Sequence, residues 1–242
     1  YIVGGHTASG YWIDNNRATT IEGLYAAGDV AGGCPQKYVT GALAEGEIAA
    51  EAILEYLNDK DDDRIAAKNT KEALEHGEEQ KLSQIAIAKK AEYESHLNAS
   101  RSLMNAEQLE EAMQKIMDQY AGGIGTDYRY SEMSLAKADE KIAALLPVAD
   151  TLAAMDTYEL MQIYELRERL IVCRAVIAHL AARKETRWHS FGENTDYPQQ
   201  SEEWMKYVNS RMENGEIKIL YRDLITKENT GLNTAEKGAG ER

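Results

Sequence analysis

Apolar residues recur three and four positions apart through much of the second half of the chain, which is the period of an amphipathic helix. This pattern predicts helices over residues 106–120, 132–153 and 157–184. Asn105 and Asp156 precede the first and the third of them, and both residue types are favoured at a helix N-cap. Because an apolar stripe must be buried against another element, we expect the three helices to pack as an antiparallel bundle.

The stripes of the second and third predicted helices supply most of the expected core. Pro147 lies within the second helix, where its missing N–H predicts a kink. The stripe residues are Leu135, Ala138, Ile142, Leu145, Ala149 and Leu152 in the second helix and Ile163, Leu166, Leu170, Cys173, Ile177 and Leu180 in the third.

The beginning of the chain carries a different pattern. Short apolar runs separated by glycines predict β-strands, and residues 24–27 are typical of a buried strand that ends in a turn at Gly28 and Asp29. Residues 41–57 then predict a helix, with Thr40 as its N-cap.

An acidic segment follows this helix. Residues 58–63 predict a solvated loop and a domain boundary. The alternating aspartates imitate the start of a calcium-binding EF-hand loop, but Arg64 stands where glycine is required and Thr70 where glutamate is required. Residues 64–98 have only a weak pattern, less defined than those of the three helices that follow.

The end of the chain predicts a β-hairpin. Residues 206–211 and 216–222 flank Asn214 and Gly215, a pair typical of hairpin turns. The tail from Lys227 is polar and glycine-rich, and we expect it to be frayed.

The predicted fold class is therefore α+β. We expect the C-terminal piece of an α/β domain over residues 1–60 and a mainly helical bundle domain over residues 61–184. An irregular segment with a hairpin and a flexible tail is expected over residues 185–242.

Composition and charge narrow the class of protein. The chain has 242 residues, with 27 Lys and Arg against 41 Asp and Glu and a net charge of −14, so we expect no nucleic-acid partner. No apolar run reaches the length of a membrane span, and the two cysteines and five histidines form no metal-ligand cluster. The chain opens without an initiator Met or a signal-peptide pattern, so we expect a piece of a larger, cytoplasmic protein.

Two features near the beginning have residue types suited to binding a cofactor. Gly28 lets the backbone approach a ligand and Asp29 offers a carboxylate to sugar or ribityl hydroxyls, although an ordinary turn explains the same pair. The helix start at residues 40–46 exposes unpaired N–H groups, which suit an anion or the edge of a reduced flavin. An ordinary capped helix is the alternative for the second feature.

Taken together, these segments resemble a known family. The runs TTIEGLYAAGD (residues 19–29) and KYVTGALAEG (37–46) are similar to the second FAD-contacting segment of fumarate reductase/succinate dehydrogenase flavoproteins. Within that family, GGHTASGYW (4–12) and GGCPQKY (32–38) most resemble adenylylsulfate reductase alpha subunits. The predicted bundle and the run KETR (184–187) resemble the family's C-terminal region more loosely.

The resemblance implies FAD as the cofactor of the whole protein, in a site of which this chain holds only part. It places Asp29 near the ribityl chain and the backbone N–H groups of Ala42 and Leu43 at the pyrimidine edge of the flavin. Because the glycine-rich phosphate-binding turn is missing from this sequence, we expect the isolated chain to be inactive. The cofactor-binding residues implied are Gly28, Asp29, Thr40, Gly41, Ala42, Leu43 and Glu45.

The resemblance also implies two catalytic residues, His6 and Lys37. Lys37 aligns with the substrate-binding arginine of fumarate reductases, and a lysine keeps the charge but loses the bidentate carboxylate fork. This difference disfavours a C4-dicarboxylate substrate and suits a sulfur oxyanion. His6 aligns with an active-site histidine that can transfer a proton or hold an anion, with an ordinary loop histidine as the alternative.

Other candidate residues are weaker. Arg187, Trp188 and His189 form a basic and aromatic cluster for which packing is the favoured interpretation. Cys34 lies near the expected substrate loop and Cys173 on a helical stripe, and neither has the spacing of iron–sulfur ligands.

The resemblance implies an FAD-dependent oxidoreductase that interconverts adenylylsulfate with sulfite and AMP. A small iron–sulfur beta subunit is the implied partner and electron donor. Two alternatives stay open: a flavoenzyme of the fumarate reductase or L-aspartate oxidase type, and a helical interaction module with no activity of its own.

Overall fold

A computed structural model describes residues 9–32, 39–67, 71–99, 103–187 and 192–224 of the protein. The described chain is mainly helical with a few short strands, which confirms the predicted fold class. The helices are α1 (Val39–Ala67), α2 (Lys71–Leu97), α3 (Ala106–Tyr120), α4 (Glu132–Ala149) and α5 (Thr157–Ala182), and the strands are β1 (Arg129–Tyr130), β2 (Glu193–Asn194), β3 (Lys206–Glu213) and β4 (Glu216–Asp223).

The described residues divide into two compact units, and the division lies inside α2. Residues up to Gln80 belong to the first unit, and Lys81–Leu224 form the second. No helix among the described residues is long and apolar enough to cross a membrane.

The second unit contains the predicted bundle. Helices α3, α4 and α5 pack against one another around one hydrophobic core, which confirms the three helices and most of their stripes. Leu145, Cys173 and Leu180 are only partly buried against this core. The buried core residues are Leu109, Met113, Leu135, Ala138, Ile142, Ala149, Leu152, Ala154, Leu160, Ile163, Leu166, Leu170 and Ile177.

Two of the three bundle helices, α3 and α5, begin at the predicted caps, and α4 begins after Ser131, which was not predicted. The Asn105 side chain accepts a hydrogen bond from the N–H of Gln108, and the Gln108 side chain accepts one from the N–H of Asn105, which forms a capping box. Asp156 caps α5 by accepting hydrogen bonds from two backbone N–H groups. Helix α4 ends at Ala149, earlier than predicted, with Pro147 in its last turn.

The C-terminal part of α2 is attached to the bundle through His96, which is 5% exposed. His96 Nδ1 lies 2.7 Å from the carbonyl oxygen of Leu152, and the His96 carbonyl accepts a hydrogen bond from the N–H of Ala154. Tyr164 of α5 donates a hydrogen bond to Glu92, 2.7 Å away. These contacts join α2 to α5 and to the loop that precedes it.

The predicted hairpin is present and packs against α5. Strands β3 and β4 pair antiparallel, and Asn214 and Gly215 form the turn with φ angles of 52° and 81°. His179 of α5 lies 2.8 Å from the hydroxyl of Ser210 on β3. Burial, followed by the charge of Arg183, lowers the pKa of His179.

Three sequence-based predictions are wrong in the described residues. Residues 58–63 are helical and continue α1, so no loop separates them from the preceding helix. Residues 58–63 have low helix propensity, since five of the six are Asn or Asp, and the helix continues through them from the strong helix formers that precede them. Helix α1 begins at Val39, so Thr40 lies within its first turn and is not its N-cap, which is the second wrong prediction. Helix α2 forms over residues whose weak pattern gave no definite prediction. Helix α2 is rich in good helix formers but carries no single apolar stripe, so its period cannot be recognised in the sequence.

The third correction concerns the strand predicted at residues 24–27. This segment forms only an isolated bridge between Ala18 and Tyr25, and Leu24 is 46% exposed. Further isolated bridges join Tyr11 to Ala31 and Ile13 to Thr19. The small apolar residues here follow a looped path, since residues 9–32 contain no run of ladder hydrogen bonds that would define a strand.

Candidate functional site

The predicted turn at Gly28 is a single 3-10 turn, Gly28–Val30, which packs against the start of α1. Gly28 is buried and has a φ of 70°, a conformation that favours glycine. A Cβ placed on Gly28 lies 3.3 Å from the Cβ of Ala42, which is closer than ordinary van der Waals contact. The glycine therefore allows both the turn conformation and its close approach to the helix.

The groups predicted to contact the cofactor lie on these two elements. Asp29 is exposed in the turn, and Thr40, Ala42 and Leu43 are exposed in the first turns of α1. The first N–H groups of a helix have no acceptor within the helix and form its positive end, and the first turn of α1 holds no acidic side chain. The structure thus brings Gly28 and Ala42 together, with Asp29 adjacent to Gly28 in the same turn.

Glu45 differs from the other predicted contacts because it is buried, at 6% exposure. Its carboxylate is held by the guanidinium of Arg17: Nη2 of Arg17 lies 3.0 Å from one carboxylate oxygen, and Nε donates to the other. A two-point pair of this kind uses both oxygens and fixes their orientation. Glu45 is therefore oriented towards the protein and not towards an exposed site.

A second, exposed ion pair joins the same two segments further along α1. Lys60 lies 2.8 Å from Glu22, and the hydroxyl of Tyr56 donates a hydrogen bond of 3.2 Å to Glu22. The hydrogen bond from Lys60, followed by the one from Tyr56, lowers the pKa of Glu22. Tyr25 packs edge-on against Tyr56, with ring centroids 6.4 Å apart.

The two predicted catalytic residues, His6 and Lys37, lie outside the described residues, as does Cys34. Their roles stay predictions from the sequence. Within the described part of the chain, no group of three or more His, Cys, Asp or Glu side chains is placed to hold a metal ion.

The second unit contains a charged cluster that sequence reasoning missed. The side chain of Glu185 has no exposed surface and lies between the guanidinium groups of Arg183 and Arg187. Arg187 Nη2 lies 2.8 Å from one Glu185 oxygen, and that oxygen also accepts a hydrogen bond of 3.1 Å from the N–H of Ser201. Burial raises the pKa of Glu185, but the hydrogen bonds from Arg187, Ser201 and Arg183 outweigh it, so the pKa is lowered.

The arginines of this cluster also hold the chain that follows the bundle. Arg183 donates hydrogen bonds to the carbonyl oxygens of Trp204 and Lys206, at 2.9 and 3.0 Å, and Arg187 donates one to that of Ser201 at 3.0 Å. Arg187 thus has the packing role favoured for it, while Trp188 and His189 lie outside the described residues. The alternation of Arg, Glu and Arg at every second position was the only sequence signal for this cluster.

Substituting Gly28 tests how strictly the turn depends on it. We expect Gly28→Ala to lower the free energy of unfolding by about 1–2 kcal/mol, because alanine is strained at a φ of 70° and its Cβ crowds Ala42. Urea denaturation of the two proteins measures the difference. Gly46→Ala is the matched control: nothing lies within 4 Å of a Cβ there, and we expect a gain of about 0.5–1 kcal/mol. Equal effects at the two positions would contradict the assigned role of Gly28.

The donor set at this turn fits a flavin. An exposed carboxylate at Asp29 accepts hydrogen bonds from hydroxyl groups, and the N–H groups of the first turn of α1 donate to electron-rich atoms. Gly28 is the point of the turn that lies closest to α1, and it has no side chain that would block a ligand there.

Comparison with known proteins identifies relatives for most of the chain. Residues 110–236, a little over half of the chain, match the family described as "Fumarate reductase flavoprotein C-term". The chain is 29% identical over 205 residues to the adenylylsulfate reductase subunit alpha of Megalodesulfovibrio gigas, which aligns 81% of this chain with 29% of that protein. It is 28% identical over 205 residues to an uncharacterized FAD-dependent oxidoreductase of Methanocaldococcus jannaschii, covering 82% of this chain and 33% of that protein.

A solved structure gives a similar result. An adenosine-5-phosphosulfate reductase in complex with sulfite, described as a covalent adduct, matches with a TM-score of 0.70 and 32% identity over 87% of this chain. The match covers 33% of the other chain. This protein therefore spans about a third or less of the length of the relatives it matches.

Proposed function

Because the chain belongs to the fumarate reductase flavoprotein C-terminal family, we propose that the whole protein is an adenylylsulfate reductase. Membership of the FAD-dependent oxidoreductases follows from the family and from the relatives that match most of the chain. The substrate is the proposed part. The observation that carries it is the 32% identity to a reductase whose structure contains sulfite.

The proposed reaction is the two-electron reduction of adenylylsulfate, or its reverse. The bond between sulfur and the bridging oxygen breaks, sulfur takes up the two electrons and leaves as sulfite, and AMP keeps the bridging oxygen. FAD, when bound, supplies the two-electron redox chemistry. A small iron–sulfur beta subunit is the proposed source of the electrons, and the name "subunit alpha" of the matched relative supports a multi-subunit enzyme.

In this proposal the described residues bind the cofactor. Asp29 accepts hydrogen bonds from ribityl hydroxyls, and the pyrimidine edge of the flavin lies at the positive end of α1, beside Ala42 and Leu43. Because α1 begins at Val39, the N–H groups of Ala42 and Leu43 have acceptors within the helix, so the donors to the flavin are the N–H groups of the residues before them, such as Thr40 and Gly41. Gly28, Thr40 and Gly41 keep the approach free of large side chains. This last role agrees with the close contact between Gly28 and Ala42.

Two residues outside the described part of the chain act on the substrate in this proposal. The Lys37 ammonium stabilises the oxyanions of adenylylsulfate and sulfite as a point charge. His6 transfers a proton to, or takes one from, the reacting oxyanion near neutral pH. The net charge of −14 makes such local positive groups necessary for attracting an anionic nucleotide.

The alternative within the family is an enzyme that acts on a dicarboxylate. Lysine at position 37 counts against it, because a bidentate carboxylate clamp calls for arginine. The helical interaction module is disfavoured because the similarity to an FAD-dependent oxidoreductase covers 82% of the chain.

Substrate assays of the whole protein with its partner subunit decide between these functions. We expect turnover of adenylylsulfate to AMP and sulfite, with flavin bound and without reduction of fumarate. Reduction of fumarate without turnover of adenylylsulfate would establish the alternative enzyme. A whole protein that holds no flavin would refute both and favour the interaction module.

A further inference from the structure

The pair of Arg17 and Glu45 lies at the junction of the two elements that carry the proposed flavin contacts. Glu45 stands three residues after Ala42 on α1, so it belongs to the same end of the helix. Its side chain is 8% exposed and that of Arg17 is 18% exposed, which makes this a largely buried pair. Burial of this kind makes the geometry of the pair important, since an unpartnered buried charge is costly.

Arg17 also contacts the segment that leads into the turn. Its carbonyl accepts a hydrogen bond of 3.0 Å from the N–H of Ala26, two residues before Gly28. Its own N–H donates to the carbonyl of Asp14 at 3.1 Å, and its φ is 66°. A non-glycine residue keeps such a φ only where its surroundings hold it. Arg17 is thus fixed by its backbone on the side of the turn and by its guanidinium on the side of the helix.

We propose that Arg17 and Glu45 form a positioning pair that sets the distance between the turn at Gly28 and the start of α1. The proposal rests on the proposed flavin site. Glu45 then acts through Arg17 and does not contact the cofactor, because both of its carboxylate oxygens are used by the guanidinium. The pair fixes the Asp29 carboxylate and the helix N–H groups relative to each other, and small errors in such spacing weaken binding strongly.

Glu45→Gln in the whole protein is the first test. Glutamine is close in size but offers only one acceptor to the two guanidinium N–H groups, so the two-point geometry is lost. We expect the variant to fold, to bind FAD about 10- to 100-fold more weakly, and to shift the flavin absorption bands in the FAD-saturated protein. Glu22→Gln, which breaks the exposed pair with Lys60 between the same segments, is the control and should leave both readouts unchanged.

A second variant separates positioning from packing. Arg17→Met combined with Glu45→Leu replaces the buried pair with apolar groups of similar volume, a change that often preserves stability. We expect thermal melting close to that of the unsubstituted protein, but FAD affinity as weak as in Glu45→Gln. If either variant folds and keeps both full FAD affinity and the original absorption bands, the pair only packs and the proposal is overturned. If neither variant folds, the pair is structural and the proposal is equally overturned.

The starting protein distinguishes this failure from failure of the proposed function. An unsubstituted whole protein that binds FAD, with variants that bind it equally well, refutes the positioning pair alone. An unsubstituted whole protein that binds no FAD refutes the flavin site and the positioning pair together.

Discussion

Glu185→Ala is expected to lower the free energy of unfolding by about 3–5 kcal/mol, the range for removing one partner of a buried ion pair. The Glu185 side chain has no exposed surface and lies between Arg183 and Arg187, so its loss leaves two guanidinium groups facing each other. The N–H of Ser201 also loses its acceptor. Urea denaturation of the two proteins at neutral pH measures the difference.

Glu216→Ala is the matched control for this prediction. Glu216 also pairs with a basic residue, Lys218, but both side chains are exposed, and exposed pairs contribute little to stability. We expect the control to unfold at the same urea concentration as the unsubstituted protein. A Glu185 variant that behaved like the control would show that the cluster contributes nothing to stability.

The stabilisation by Glu185 depends on pH in a definite direction. The pKa of Glu185 is lower in the folded chain than its usual value, so the folded state binds a proton less readily than the unfolded state does. The stabilisation is fully present above the ordinary glutamate pKa and is lost as the pH falls through the lower folded value. The stability difference between the two proteins should therefore be largest near pH 7 and should shrink in acid.

Lys37→Ala in the whole enzyme is expected to reduce turnover by roughly 10²–10³-fold with flavin still bound. This is the range for removing one donor that stabilises a developing oxyanion. The sequence-based prediction puts Lys37 among the few positive groups beside the proposed site, in a chain of net charge −14. Steady-state rates with adenylylsulfate, together with the flavin content of each preparation, measure the effect.

Lys37→Arg is the conservative control. It keeps the positive charge, so we expect turnover closer to that of the unsubstituted enzyme, or a shift of preference towards carboxylate substrates. Turnover of the Lys37→Ala enzyme at the unsubstituted rate would mean that the substrate does not bind beside Lys37. Loss of flavin from that variant would instead assign Lys37 to cofactor binding.

The bundle was predictable because its information is local. Leu135, Ile142 and Leu170 fall on regular stripes, and the structure buries all three. Asn105 and Asp156 predict the starts of their helices, because their side chains accept hydrogen bonds from backbone N–H groups of the first turn. The Asn214–Gly215 turn was predictable for the same reason, since few other residue pairs adopt its backbone angles.

The missed helices show where this local information fails. Most of α2 consists of good helix formers without one apolar face, whereas residues 58–63 of α1 are mainly Asp, a poor helix former. A period cannot be detected when polar and apolar residues are spread around the whole helix. The strand predicted at residues 24–27 failed in the opposite way, because apolar residues suggested an element that the chain does not form.

For the candidate site, the sequence alone indicated which residue types stand at the turn and at the helix start. It could not indicate that Gly28 packs against Ala42, nor that Glu45 is held by Arg17. Arg17 and Glu45 are 28 positions apart, and no pattern of local spacing predicts a contact at that separation.

By itself, the sequence determined the three bundle helices, the hairpin, the acidic character and the membership of a flavoprotein family, since these depend on residue types and short spacings. Only the tertiary structure decided which charged side chains are buried and which groups they form hydrogen bonds with. Glu45 is paired with Arg17 and Glu185 accepts a hydrogen bond from Ser201, because the folded chain brings these distant segments against the carboxylates. Burying a carboxylate requires donors from more than one segment, and only the folded chain brings those donors together.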